Sequence, residues 1–136
     1  METQTTLQEA QTVLAPWAAR VNEPEKNRLD VYLTAEGIVD AVKAMLASGS
    51  WHLSAITGLD VVQQGDVDGK IEVLYHFCMG ASIVTLRVEV MYGEPTLPSI
   101  CGVMPAATLY ERELGEMFGV IFDGTPTRDR LLLSDD

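Results

Sequence analysis

Cysteine is nearly missing from this 136-residue chain: Cys78 and Cys101 are the only two, too far apart for a CxxC redox or iron–sulfur pattern. A four-cysteine cluster is out of reach, and a cytosolic, reduced setting fits such sparse usage. Cations are scarce as well. Nine Lys and Arg stand against 20 Asp and Glu, a formal net charge of −11, and that field repels nucleic-acid phosphates and the anionic face of a bilayer. No run reaches the roughly 18 uninterrupted apolar residues of a membrane span, and Met1–Thr6 lack the basic cluster and apolar stretch of a signal peptide. Membrane association is therefore expected only indirectly, through partners. A phosphate-cradling loop is lacking too. Gly58, Gly65 and Gly69 neither follow the fingerprint spacing nor open a helix, which argues against nucleotide binding by this chain.

What is present reads as one globular domain over residues 1–136: 47% of residues are hydrophobic and 21% charged, enough for a core without disulfide or metal staples. Leu7, Ala10, Leu14, Trp17 and Val21 recur at helical spacing, so residues 1–28 read as an N-terminal helix, broken or kinked at Pro16, and a loop over Asn22–Asn27. Leu29, Val31 and Leu33 alternate with Asp30 and Tyr32 as a half-buried strand. Thr34 is placed to cap the next helix, whose apolar stripe is Ile38, Val39, Val42, Met45 and Leu46 and whose stop is Gly49.

Three strands follow, over about Trp51–Gln63, Lys70–Cys78 and Ser82–Tyr92, with turns at Asp68–Gly69 and Gly80. Val84, Leu86, Val88 and Val90 point one way and Thr85, Arg87 and Glu89 the other, predicting one core face and one wet face. Pro95, Pro98 and Pro105 exclude regular pairing across Gly93–Pro105. A last helix is expected to start at Pro105, bury Ala107, Tyr110, Leu114 and Met117, and end at Gly119. The fold class is therefore α+β in two layers: helix–strand–helix, a three-stranded antiparallel meander, a further helix and an irregular C-terminal tail, on a mixed sheet.

Two constellations hold residues capable of chemistry. His52, His76, Cys78 and Cys101 supply four zinc-type ligands, and Cys101 with His76 supplies a thiol and a base, the rival reading of a free-standing metal protein or small enzyme. The four come from three separate elements rather than from close pairs in a turn, so packed core residues are the simpler reading. Glu113 and Glu116, three apart on a helix, are spaced to pair as an acid and base or as half of a carboxylate metal site. A di-metal site needs Glu-x-x-His motifs on facing helices, which the sequence lacks, so solvated helix charge or partner contact is the better reading.

Pro105-Ala106-Ala107, then Tyr110-Glu111-Arg112-Glu113, then Glu116-Met117-Phe118-Gly119-Val120-Ile121-Phe122-Asp123-Gly124, with the ending Arg130-Leu131-Leu132-Leu133-Ser134-Asp135-Asp136, resembles the respiratory-chain NADH dehydrogenase 30 kDa subunit family. That family comprises the 30 kDa subunit of complex I, the NADH:quinone oxidoreductase, and the related subunit of membrane-bound energy-converting hydrogenases. Thr125 stands where the family commonly has His, Gly115 where a bulky residue is usual, and the order Arg128-Asp129-Arg130 differs.

The resemblance implies a subunit with no catalytic site, cofactor or metal of its own. It implies a place in the peripheral arm, against a large catalytic subunit of the quinone-site or nickel–iron type and neighbouring iron–sulfur subunits, at the cytoplasmic face of the cell membrane. Glu111, Arg112, Glu113, Glu116, Phe118, Gly119 and Arg130 become the signature and expected subunit interface. Because Glu111 and Glu113 project oppositely on a helix, Arg112 is expected to hold the Pro-rich loop and Glu113 with Glu116 to face outward. Residues 123–136 are expected to dock onto a partner. The chain stops where many respiratory members continue into a long arm, which suits a short, hydrogenase-type form or a truncated one.

Overall fold

A computed structural model describes residues 2–61 and 69–124. Helix α1 (Glu2–Leu14) is followed by strands β1 (Ala18–Asn22) and β2 (Arg28–Leu33), a 3-10 turn (Ala35–Gly37) and helix α2 (Ile38–Ser48). Strands β3 (His52–Val61), β4 (Lys70–Met79) and β5 (Ser82–Met91) come next, then β6 (Thr96–Pro98), helix α3 (Ala107–Phe118) and β7 (Ile121–Asp123). The main sheet has the order β1-β2-β5-β4-β3. It is mixed, because β2 and β5 run parallel while the other pairs are antiparallel.

Register explains the core. Leu29, Val31 and Leu33 lie beside Val84, Leu86 and Val88, and those three lie beside Phe77, Tyr75 and Val73. All nine are buried. Since side chains alternate across a strand, this pattern gathers them on one face, where Leu7, Ala10 and Leu14 of α1 and Ile38, Ala41, Val42 and Met45 of α2 complete one continuous core. Each fully buried aliphatic or aromatic side chain contributes roughly 1.5–3 kcal/mol.

Several local expectations change. The first helix ends at Leu14, where the Trp17 N–H turns back to the Leu14 carbonyl at 3.0 Å. Trp17 leaves the helical stripe, and Val21 joins β1, a strand that the apolar pattern does not announce. Thr34 makes no side-chain cap. Its carbonyl instead accepts the Gly37 N–H at 3.1 Å, so a 3-10 turn leads into α2. Gly49 ends α2 in an extended rather than left-handed conformation, whereas Gly80 and Gly119 do take positive φ. Asp68 lies outside the described residues. Gly69 is not among the positive-φ glycines; its missing side chain instead admits the Tyr92 ring, which would lie 1.9 Å from an added Cβ.

The Pro-rich segment also pairs. β6 and β7 form a two-stranded parallel sheet, because a proline that cannot donate can still accept: the Ile121 N–H reaches the Pro95 carbonyl at 2.7 Å, and the Ser99 N–H reaches the Asp123 carbonyl at 2.7 Å. α3 starts at Ala107 rather than Pro105, with Ala106 as its N-cap.

Candidate subunit interface

α3 presents two different faces. Ala107, Glu111 and Leu114 are buried, and Phe118 continues that line half-buried, an i, i+4, i+7, i+11 stripe. The expected seam through Tyr110 and Met117 is offset from it, and Met117 is 77% exposed. The stripe sits on β3: a Cβ at Gly58 would lie 2.6 Å from the Phe118 ring, so only glycine lets that ring approach the strand.

Glu111 is the unexpected core residue, with no exposed surface. Its carboxylate accepts from the Ser99 hydroxyl at 2.7 Å, the Ile100 N–H at 2.8 Å and the Cys101 thiol at 3.1 Å. Ser99 Oγ in turn accepts the Cys101 N–H at 3.1 Å. Thr108 Oγ1 lies 2.8 Å from the Pro105 carbonyl and 3.2 Å from Cys101 Sγ. The Pro-rich loop is therefore clamped to α3 by Glu111, the role that the sequence suggests for Arg112. Burial and the adjacent carboxylate push the Cys101 thiol up, although hydrogen bonds from Ser99 and Thr108 oppose that shift. Burial, then Glu111 and Cys101, raise the Tyr75 phenol as well. Neither group is poised to ionise near neutrality.

Arg112 instead reaches Glu116 one turn on, at 3.5 Å. Glu113 and Glu116 are exposed, so Glu111 and Glu113 do project to opposite sides. Around them Leu109, Met117 and Ile121 are exposed large apolar side chains interspersed with these acids, and Met117 among them is hidden from sequence reasoning because helical spacing alone places it inward. Gly119 closes α3 at φ 75°, its N–H bonded to the Gly115 carbonyl at 2.8 Å. Thr125, Arg128, Arg130 and the leucines of the expected docking tail lie outside the described residues.

The face of the sheet turned away from α1 and α2 is polar and tightly bonded. Arg87 donates to Asp30 at 2.9 Å and to Glu72, and its guanidinium lies 5.0 Å from the Tyr32 ring, over which Arg20 stacks at 3.9 Å. The side expected to be wet thus buries Asp30, Glu72 and Thr85. His76 sits here between Thr57 Oγ1 at 2.8 Å and Thr85 Oγ1 at 3.2 Å. Burial, chiefly, with nearby Arg28 and Arg87, holds its imidazole below the ordinary histidine value despite Asp30.

These positions overturn the metal and thiol–base readings. Cys101 lies in the same buried core as Tyr75, whose side chain faces the helices, while the next residue, His76, faces the other side of the sheet with Thr57 and Thr85. Cys101 and His76 are therefore separated by β4. His52 and Cys78 are register partners on β3 and β4, and Cys101 is committed to α3. Among the described residues no three His, Cys, Asp or Glu side chains converge as metal ligands.

Comparison with known proteins agrees with this architecture. The family described as respiratory-chain NADH dehydrogenase, 30 Kd subunit, matches residues 31–136. The chain is 33% identical over 110 residues to the NADH-quinone oxidoreductase C subunit of Roseiflexus sp. (strain RS-1), covering 79% of this chain and 63% of that one. Against the same subunit of Rhodobacter capsulatus it is 32% identical over 111 residues, covering 81% and 56%. The chain thus spans about three fifths of the length of these relatives. The solved trypsin-resistant fragment (1–134) of Nqo5 superposes with a TM-score of 0.73 at 26% identity, over 93% of this chain and 99% of that one. A chain of the membrane-bound sulfane sulfur reductase, an archaeal respiratory membrane complex, shares the fold at a TM-score of 0.77 and 23% identity, over 93% and 73%. With its signature helix clamped to the Pro-rich loop by Glu111, this chain belongs to the respiratory-chain NADH dehydrogenase 30 Kd subunit family.

Proposed function

We propose that this chain is a non-catalytic assembly subunit in the peripheral arm of a complex I-type NADH:quinone oxidoreductase or an energy-converting hydrogenase, supporting electron transfer coupled to ion pumping. The use of the family signature carries this reading. It is spent on structure and surface: Glu111 is buried as a loop clamp, while Glu113, Glu116 and Met117 stand outward with Leu109 beside them. Exposed apolar side chains interspersed with charge are the anatomy of a protein contact. The partners are the large catalytic subunit and neighbouring iron–sulfur subunits, reached through α3 and through the segment carrying Arg130. No helix among the described residues is long and apolar enough to cross a membrane; in this reading the complex supplies the attachment to the cytoplasmic face.

Glu113→Lys with Glu116→Lys tests the reading. Both positions are exposed, so the melting temperature should stay within about 2 °C of the parent. Recovery of the complex from cells should fall about tenfold, equivalent to ~1.4 kcal/mol of lost association energy. Recovery equal to the parent's would remove α3 from the interface.

A further inference from the structure

The two edges of the main sheet are built differently. β1 is five residues long, its register is broken between Ala18 and Arg20, and it carries Arg20 stacked on Tyr32. Short length, irregularity and a cationic side chain are the features that keep an edge from recruiting another strand. β3 is ten residues long and pairs only with β4 among the described residues. Its one irregularity lies near its start, between Leu53 and Ala55, and Ala55–Val61 then runs in unbroken register. It holds no Lys, Arg or Pro, its one charge is Asp60, and Leu59 is 49% exposed. Such an edge is open to pairing.

Beside that edge lies a groove of about 220 Å³ between β3 and α3, lined by Ile56, Gly58, Leu114, Phe118, Met117 and Glu113. Its walls are apolar apart from Thr57, and its charged rim is acidic: Glu113 and Asp60 are exposed, and the nearby Arg112 is engaged by Glu116. An apolar groove alongside an unpaired strand edge is the geometry by which a sheet takes up an extended peptide, main-chain bonds giving affinity and the groove seating alternate side chains. The acidic rim selects the charge of that peptide.

We propose that the β3 edge receives an extended segment of a partner subunit, apolar at its centre and flanked by Lys or Arg, which adds a sixth strand to the five-stranded sheet. This rests on the function proposed for the chain and gives the partner's docking segment its chemistry. Met117, in the groove, and Leu59, on the opposite face of β3 beside Glu72, contact apolar residues that alternate across the added strand, and Asp60 with Glu113 its cations.

The test compares amide hydrogen exchange of β3 in the free chain with that in the native complex isolated through an N-terminal tag on this chain. The alternate amides of residues 55–61 that point away from β4 should exchange at least about tenfold more slowly in the complex. Leu59→Lys with Met117→Lys should lower recovery of the complex about tenfold at an unchanged melting temperature. The matched Leu59→Glu, Met117→Glu pair should cost less than about threefold, because a cationic segment tolerates the added acids. Unchanged β3 exchange in a complex that does form overturns the inference and leaves the proposed function standing. A chain that brings down no complex overturns both. Slow exchange of those same outward amides already in the free chain also overturns it: concentration dependence would mark a second copy as the occupant, and loss on deleting residues 125–136 would mark this chain's own C-terminus. If either variant pair misfolds, the exchange comparison on the parent still decides.

Discussion

Two charged centres sit within this small domain, and they are satisfied in opposite ways. Glu111 is fully buried and takes hydrogen bonds from neutral donors: a hydroxyl, a thiol and a backbone N–H, all 10–12 residues away in the loop before its helix. Arg87 keeps 21% of its side chain exposed and is met by two carboxylates, from residues 15 and 57 positions away. The first centre closes a local loop–helix unit, and the second staples three strands. A buried charge without its full set of hydrogen bonds costs far more than a half-exposed one. Glu111 should therefore be the less replaceable of the two.

Glu111→Ala is expected to have the largest effect. It leaves the Ser99 hydroxyl, the Ile100 N–H and the Cys101 thiol without their acceptor in a dry site, and should cost roughly 3–5 kcal/mol by urea denaturation. Glu111→Gln keeps the shape but turns an amide donor toward donors, and should recover only part of that loss. If the glutamine variant were as stable as the parent, the charge would have no special part in the clamp, and the contrast with Arg87 would collapse.

Arg87→Met comes second, at roughly 2–4 kcal/mol, because Asp30 and Glu72 are left facing each other on a partly solvated surface. Replacing all three with apolar residues should restore much of the loss, since a well-packed apolar substitute for a buried charge cluster is often neutral. No such rescue is expected for Glu111, whose loop donors include a backbone N–H that no side-chain substitution removes.

How far each centre is legible in the sequence follows from the same contrast. Strands β3, β4 and β5 are readable because glycines punctuate them and Val84, Leu86, Val88 and Val90 alternate; the alternation identifies the core face but labels the other face wet. Nothing in the alternation says that Arg87 will sit across from Tyr32 and Leu74, the register that delivers Asp30 and Glu72. β1 escapes detection because Ala18–Asn22 has little apolar pattern of its own and becomes a strand by pairing with β2. The seam of α3 comes out offset because an apolar search skips Glu111, and only the donors of the loop make a carboxylate welcome inside. The signature motif, by contrast, is legible without any structure.

His76 allows a smaller, pH-dependent version of the comparison. Its folded-state value lies below 6.5 through burial and nearby arginines, so the unfolded chain binds the proton more readily. Its contribution is thus complete above about pH 6.5 and declines as pH falls below that, toward the folded value. His76→Gln should flatten the stability–pH curve in that acidic window while leaving the plateau above it largely intact. A parent curve flat from about pH 7 to about pH 5 would show that the imidazole is not held neutral.

The smallest effect is expected from Arg112, and its smallness is informative. Arg112 lies beside Glu111 in the signature, yet its partner is Glu116 at 3.5 Å, with side chains 32% and 64% exposed. Exposed i, i+4 pairs contribute about 0.3–0.5 kcal/mol, and an Arg placed N-terminal to its Glu is the weaker orientation. Arg112→Ala should therefore cost no more than about 0.5 kcal/mol and move the melting temperature by about 2 °C or less, a shift that added salt reduces further. A much larger loss would mean that Arg112 shares the clamping of the Pro-rich loop with Glu111, and that the two neighbouring charges act as one structural unit. A small loss in the free chain combined with poor recovery of the complex would place Arg112 with Glu113 and Glu116 on the partner side of α3. Measuring both quantities on this one variant thus separates the inward use of the signature from the outward one.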